Sequence, residues 1–385
     1  MEIFDYLKHS KKLFFKKGAL PVQVTFFVTN KCNCACKHCF ALKELNNPLR
    51  DDLTLDEIRQ ISFSMGNFIY LLIGGGEPFL RPDLPEIVRI FYENNNVLNV
   101  TIATNGSLTD TIIDCTKQIL RNFMNTLTIN VSFDGIGKDH DDIRKQKGIF
   151  EKAVLTHNAL KRLKTDFQNL NVGIIMTHSP FNQDKIKDTY LWLKKNLMPD
   201  SIVLNYMRGN IEYGTGDNMN ILFYEELSRM IEKDNISGEI VGHHKFPLSD
   251  FNIASKIMMR KFVSQTVWQK KWQSTCYAGI LNCVIMNNGV IFPCEMLDMA
   301  MGNLRENNYN FKKIWFSENA EKIRQFIRET KCFCTEECNI NINILFNPRY
   351  LIKLIGIVTK KRLHGLLYRK DENTARRLVR RKPNV

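Results

Sequence analysis

Within FFVTNKCNCACKHCF, residues 26–40, four of the chain's eleven cysteines occupy eight positions: Cys32, Cys34, Cys36 and Cys39. Thiolates bind metals and carry redox chemistry, and in a reducing compartment clustered thiols point to those uses rather than to disulfides. Cys32, Cys36 and Cys39 are separated by three and two residues, and a loop of that length wraps three thiolates around an iron–sulfur cube with one iron left open. An open iron can bind a small molecule and pass it an electron. The same close spacing also suits a structural zinc site. About 35 residues on comes GGGEPFLRPDL, where Gly74, Gly75 and Gly76 permit close approach of the backbone to a ligand and Glu77-Pro78 sets a turn whose carbonyls can accept bonds from an ammonium group.

Six further cysteines lie between 276 and 338. Cys276 and Cys294 flank an Asn-Asn-Gly turn that folds one strand back on another, and KCFCTEECN supplies Cys332, Cys334 and Cys338. A zinc ribbon is the alternative reading of this group. Cys283 stands beside Val284 and Ile285 in a strand pattern and reads as core. Cys115 follows the helical spacing of Ile112 and Ile119 and reads the same way.

The elements that must position these groups follow from the pattern. At 385 residues and 44% hydrophobic content the chain buries a large core. No apolar run reaches the roughly 20 residues of a membrane span, and the first residues carry no secretory pattern, so a cytoplasmic location is expected. Apolar, β-branched runs at 22–29, 68–75, 98–104, 127–133, 171–176 and 201–207 read as six strands. Between them lie helical patterns: Thr54 and Glu57 as a capping box before Ile58/Ile61/Met65, Pro82 in a first turn before Leu84/Ile87/Phe91, and Ile186/Tyr190/Leu193/Leu197. Alternating βα units predict a parallel α/β fold, a partial (β/α)6 TIM-type barrel followed by a cysteine-rich domain. Its active residues should sit at the strand C-terminal ends. The expected divisions are a basic N-terminal helix at 1–20, the barrel at 21–235, a linker and cysteine-rich domain at 236–345 and a basic tail at 346–385. His243 and His244 fall in the linker and receive no role.

The three-cysteine spacing with His38 before the last thiol, together with Gly75-Gly76-Glu77-Pro78, resembles radical S-adenosylmethionine enzymes. The resemblance implies that Cys32, Cys36 and Cys39 ligate a [4Fe–4S] cluster whose open iron binds the methionine end of S-adenosylmethionine. One electron then yields a 5′-deoxyadenosyl radical that abstracts hydrogen from a C–H bond. Cys34 has no place in that set and reads as a loop residue. His38, Gly75, Gly76, Glu77 and Pro78 are implied to contact the cofactor. Asn105 and Asp134 are implied to lie on the ribose side, and Ser132 and Arg144 at the carboxylate. Relatives often carry Arg-Gly where this chain has Arg144-Lys145. The second group resembles the SPASM and twitch extensions of that family and implies one auxiliary [4Fe–4S] cluster on Cys276, Cys294, Cys334 and Cys338, with Cys332 as a substitute. Glu295 occupies the place of an acidic base. The implied substrate is a peptide or protein, or a small saccharide- or lipid-linked molecule, with flavodoxin or ferredoxin as electron donor.

Charge is concentrated at the ends. Residues 348–385 hold twelve Lys/Arg against Asp371 and Glu372, net +10, and residues 1–20 are net +3, so of the total of +14 the body carries only +1. Such a tail suits an anionic membrane surface or an acidic partner, with peripheral membrane association as a second location. The neutral body offers no track for nucleic acid. Gly356 and Gly365 weaken a continuous tail helix. The competing reading of the whole chain is a non-catalytic zinc protein whose tail binds RNA or membrane.

Overall fold

Six β-branched and aromatic segments become strands: β1 (Gln23–Thr29), β2 (Tyr70–Gly75), β3 (Asn99–Thr104), β4 (Thr126–Ser132), β5 (Leu170–His178) and β6 (Ser201–Tyr206). They appear in a computed structural model that describes residues 8–16, 18–48, 51–209, 219–240 and 249–379. All six pair in parallel with their sequence neighbours. The intervening helices are α1 (Leu55–Met65), α2 (Leu84–Asn95), α3 (Thr109–Asn122), α4 (Lys138–Arg144), α5 (Ile149–Leu163) and α6 (Ile186–Leu197). The longer helices bury an apolar stripe, as with Ile186, Tyr190, Leu193 and Leu197 of α6. Cys115 is buried in the same core.

The capping box of α1 forms as the sequence predicts: Glu57 N–H donates to Thr54 Oγ1 and Thr54 N–H to the Glu57 carboxylate. At α2 the proline assignment shifts. Asp83 is the N-cap and Pro85 takes the first-turn position, so Pro82 lies outside the helix.

After α7 (Ile221–Ser237) and α8 (Ser249–Gln269) come β7 (Asn282–Ile285), β8 (Val290–Phe292) and β9 (Gly302–Asn303). The Asn-Asn-Gly turn joins β7 to β8 antiparallel, with Gly289 at φ 89°. β7 also pairs in parallel with β1, giving one nine-stranded sheet in the order β6-β5-β4-β3-β2-β1-β7-β8-β9. The cysteine-rich segment thus covers the edge that β1 would otherwise expose. Cys283 is 1% exposed on β7, in the core.

Four helices follow: α9 (Phe311–Trp315), α10 (Glu318–Glu329), α11 (Glu337–Leu345) and α12 (Pro348–Val379). α11 runs the height of the sheet. Its Glu337 accepts the Tyr206 amide at the end of β6, while Ile342 and Phe346 at its far end pack with Val22, Ile69 and Leu98, just before β1, β2 and β3.

Two terminal expectations change. Residues 8–16 and 18–20 hold a 3-10 turn, Ser10–Leu13, in place of a helix, with Gly18 at φ 70°, Lys12 Nζ bonded to the Leu20 and Pro21 carbonyls and Lys16 over the Tyr277 ring. The tail forms one helix through Gly356 and Gly365. The paired histidines, His243 and His244, lie outside the described residues.

Arg81, in the β2–α2 loop, is a strap for the thiol loop. It is buried and donates to Val28 O (2.7 Å), Leu53 O (2.5 Å) and Asp83 (2.7 Å). Arg81→Ala leaves two buried carbonyls unpaired and is expected to cost about 2–5 kcal/mol, several degrees of melting temperature, with Arg81→Lys intermediate. Unchanged thermal unfolding would contradict the strap.

Candidate active site

The thiol loop leaves β1 at Thr29 and is fastened along its length. Gly76 N–H donates to Thr29 O and Glu77 N–H to Lys31 O, each at 2.8 Å. A Cβ on Gly75 would stand 2.3 Å from Thr29 O and one on Gly76 2.0 Å from Lys31 O, and Gly75 has φ +119°. The glycines therefore admit the thiol loop's own backbone. On the other side Asn46 exchanges two 3.0 Å bonds with the Cys32 peptide. Asp52 accepts from Thr29 Oγ1 and from Asn287 Nδ2, tying the loop to the β7–β8 turn.

Cys32, Cys36 and Cys39 line one cleft at the strand C-terminal ends, together with His38, Gly75, Gly76, Glu77, Asn105, Ser132 and Arg144. Cys34 lines it too, its thiol donating to Gln146 Oε1 at 2.9 Å. Cys36 is held down to about 5, first by the adjoining Cys34 side chain and then, against burial, by the Arg144 guanidinium, whose Nη1 lies 3.7 Å from it. Three soft donors converge beside a cation and a glycine cradle, which fits a cluster held by three cysteines.

Glu77 faces into the protein. Its carboxylate accepts from Thr104 Oγ1 (2.8 Å), Asn105 N–H (2.7 Å) and Phe79 N–H (3.3 Å), and burial pushes it up to about 7 despite those bonds. Pro78 opens a 3-10 turn and does not line the cleft. Its carbonyl accepts Arg81 N–H and that of Glu77 accepts Leu80 N–H. Asn105 Nδ2 donates to Asn33 in the thiol loop, and Asn33 donates to Ser107.

Asp134 departs from its expected place. It is fully buried, does not line the cleft, and accepts from Thr177 N–H (2.8 Å) while pairing with Arg144 at 2.5 Å; His38 Nε2 is 3.6 Å away. The carboxylate is the counterion that aims Arg144. Lys145 adopts φ 56° at the C-cap of α4, the left-handed conformation that a glycine there would take at less cost.

The second thiol group belongs to the C-terminal segment and lines a pocket of its own. Cys276, Cys332 and Cys334 line a pocket with Trp272, Asn339 and Asn343. Cys294 and Cys338 lie inward of it, around Glu336, whose charge raises the thiols of Cys276, Cys294, Cys334 and Cys338 further after burial. Glu336 caps α11 by accepting from Cys338 N–H and Asn339 N–H. Cys276 and Cys294 act electrostatically on Cys334, which puts these three of the five thiols in one neighbourhood.

Arg208 connects the two groups. It follows β6, lines the first cleft, and donates to Glu295 at 2.8 Å and Glu337 at 2.5 Å, with Glu336 at 3.8 Å. Glu295, the expected base, is thus an ion-paired and nearly buried carboxylate next to Cys294. Sequence reading missed Arg208, Arg81, Asn33 and the Glu336-Glu337 pair. The available signals were a cation just past a strand end and two acids between clustered cysteines.

Residues 26–193 match the radical SAM superfamily and residues 276–339 match SPASM, an iron-sulfur cluster-binding domain. The chain belongs to the radical SAM enzymes that carry a SPASM domain. A [4Fe–4S] cluster and S-adenosylmethionine are therefore its cofactors, with further iron–sulfur in the SPASM domain, and the zinc reading is not favoured. The chain is 27% identical over 322 residues to an AdoMet-dependent heme synthase of Methanosarcina barkeri, covering 79% of this chain and 84% of the relative. It is 27% identical over 169 residues to the mycofactocin maturase MftC of Mycobacterium tuberculosis, covering 42% and 40%. Among solved structures, native anSMEcpe with bound AdoMet and Cp18Cys peptide shares the fold, with a TM-score of 0.57 at 16% identity, over 91% of this chain and 99% of that one.

Removing one partner of a buried charge cluster leaves the others uncompensated, at about 3–5 kcal/mol. Arg208→Ala is expected to lower thermal stability by that amount, with Arg208→Lys recovering part of it. Equal melting temperatures for all three proteins would show that the cluster is not closed as described.

Proposed function

We propose that the chain oxidises a C–H bond of a substrate held between its two thiol groups. The observation that carries this reading is Arg208, which lines the cleft of Cys32, Cys36 and Cys39 and is bonded to carboxylates adjoining Cys294 and Cys338.

Cys32, Cys36 and Cys39 would hold the cluster, which with S-adenosylmethionine would supply the one-electron chemistry that opens an unreactive C–H bond. The protein's part is positioning. Arg144, aimed by Asp134, and Ser132 receive the methionine carboxylate, for which a guanidinium fork is suited. Asn105, fixed to Asn33, stands on the ribose side, and His38 borders the cofactor. Glu77 and Pro78 act through the backbone they hold.

Cys276, Cys294, Cys334 and Cys338 hold the auxiliary cluster, with Cys332 as the substitute ligand. As the substrate carbon gives up a proton and an electron after losing a hydrogen atom, Glu295 Oε2 would take the proton and the auxiliary cluster would take the electron. Arg208 can release Glu295 and stay neutralised by Glu337 and Glu336.

The substrate class is a peptide or protein, or a small molecule, including a saccharide- or lipid-linked one. The named relatives are a heme synthase and a mycofactocin maturase, and the anSMEcpe structure holds a bound peptide. A flavodoxin or ferredoxin supplies electrons, in a reducing cytoplasm. The division of labour is barrel at 21–235 and auxiliary domain at 236–345.

Anaerobically reconstituted protein with dithionite is expected to form 5′-deoxyadenosine from S-adenosylmethionine, and Cys36→Ala to form none. Colourless, zinc-bearing protein that leaves S-adenosylmethionine intact would overturn the reading.

A further inference from the structure

α12 carries apolar side chains on two sides. Leu354 and Val358 are 2% and 6% exposed and belong to the core, on the side where α12 packs against α7 and α8. Leu351, Ile352, Ile355 and Leu363 are 40%, 81%, 47% and 56% exposed. At about 100° per residue Leu351, Ile355, Ile352 and Leu363 fall within roughly a third of the helix circumference, so they form one apolar band along the helix. A helix docked on a soluble body needs one apolar stripe, and the stripe facing α7 and α8 already meets that need. The outer row is a second stripe that the described fold does not use.

Its surroundings are cationic. Arg349, Lys353 and Lys360 are exposed and lie together along one flank of the row. Lys361 and Arg362 pair with Asp250 at 2.7 and 3.0 Å and fix the helix to the start of α8. No Asp or Glu occurs from 349 to 370, and residues 348–385 are net +10 on a chain whose body is nearly neutral. Exposed Trp272, next to the Gln273 carbonyl that accepts the Tyr350 hydroxyl, extends the same end of the helix with a side chain suited to a membrane interface. Among the described residues no helix is long and apolar enough to cross a membrane.

An exposed apolar row flanked by lysines and free of acids is the pattern of a helix lying in the plane of an anionic lipid surface. Apolar burial and headgroup attraction act together there. We propose that α12 docks this enzyme on an anionic phospholipid bilayer. Leu351, Ile352, Ile355 and Leu363 enter the headgroup–acyl boundary, and Arg349, Lys353 and Lys360 meet the headgroup phosphates and carboxylates. This surface is separate from the cleft and independent of the reaction proposed there.

The test is co-sedimentation of the full-length, reconstituted enzyme with vesicles of phosphatidylserine and phosphatidylcholine, or of phosphatidylcholine alone. Binding should need phosphatidylserine and weaken with salt. It should fall about tenfold or more in Ile352→Glu/Ile355→Glu and in Lys353→Glu/Lys360→Glu. Circular dichroism and 5′-deoxyadenosine formation, measured on the same preparations, should stay at the wild-type level. Wild-type protein that remains in the supernatant with phosphatidylserine vesicles would overturn the proposal, as would an Ile352→Glu/Ile355→Glu variant that sediments unchanged. Retention on soluble polyglutamate without vesicle binding would overturn it in favour of an acidic protein partner.

Discussion

Gathering anionic donors in a buried place is costly, and this molecule meets that cost with two guanidinium groups. Charges taken out of water are tolerated only when paired and hydrogen-bonded. At the first thiol group the cation is Arg144, held by Asp134 and lying against Cys36. At the second it is Arg208, set among Glu295, Glu336 and Glu337. Arginine suits both places because its planar fork serves several partners and stays protonated under burial. Both arginines also line the cleft, so the groups that make the thiol sites tolerable form the wall of the reaction space.

The barrel and the cysteine-rich segment are one construction. β7 continues the sheet from β1, and α11 joins the C-terminal end of β6 to the N-terminal ends of β1–β3. Asp52 bridges β1 and the β7–β8 turn, and Arg305 bonds to the Glu57 carboxylate that caps α1, holding that carboxyl down to about 2. The distance between the two thiol groups is thus set by sheet register and helix length, which are stiff, rather than by a linker. Transfer of an electron or a proton between them requires that kind of fixity.

What the sequence disclosed was local. The strands, the Thr54–Glu57 box, the core placement of Cys115 and Cys283, and the turn before β8 depend on periodicity and spacing within about a dozen residues. The cysteine spacing and the Gly-Gly-Glu-Pro run carried the family with them. The rest depends on pairings remote in sequence: Arg208 meets Glu295 and Glu337 across 87 and 129 residues, and β1 meets β7 across the whole barrel. Asp134 shows the limit at one residue. The family resemblance implies a ribose-side Asp134, but the Thr177 amide and Arg144 hold its carboxylate inward. Gly75 and Gly76 read in the sequence as room for a ligand, whereas the backbone that approaches them is that of the thiol loop itself.

The central claim is that two separate thiol groups each hold a cluster on one rigid frame. Iron and sulfide analysis with Mössbauer spectroscopy on the anaerobically reconstituted wild type and on Cys32→Ala/Cys36→Ala/Cys39→Ala tests it directly. The account predicts about eight irons in the wild type and about four in the triple variant, all in a fully cysteine-ligated cluster. Loss of all iron from the variant, or bound zinc in place of iron in the wild type, would contradict it.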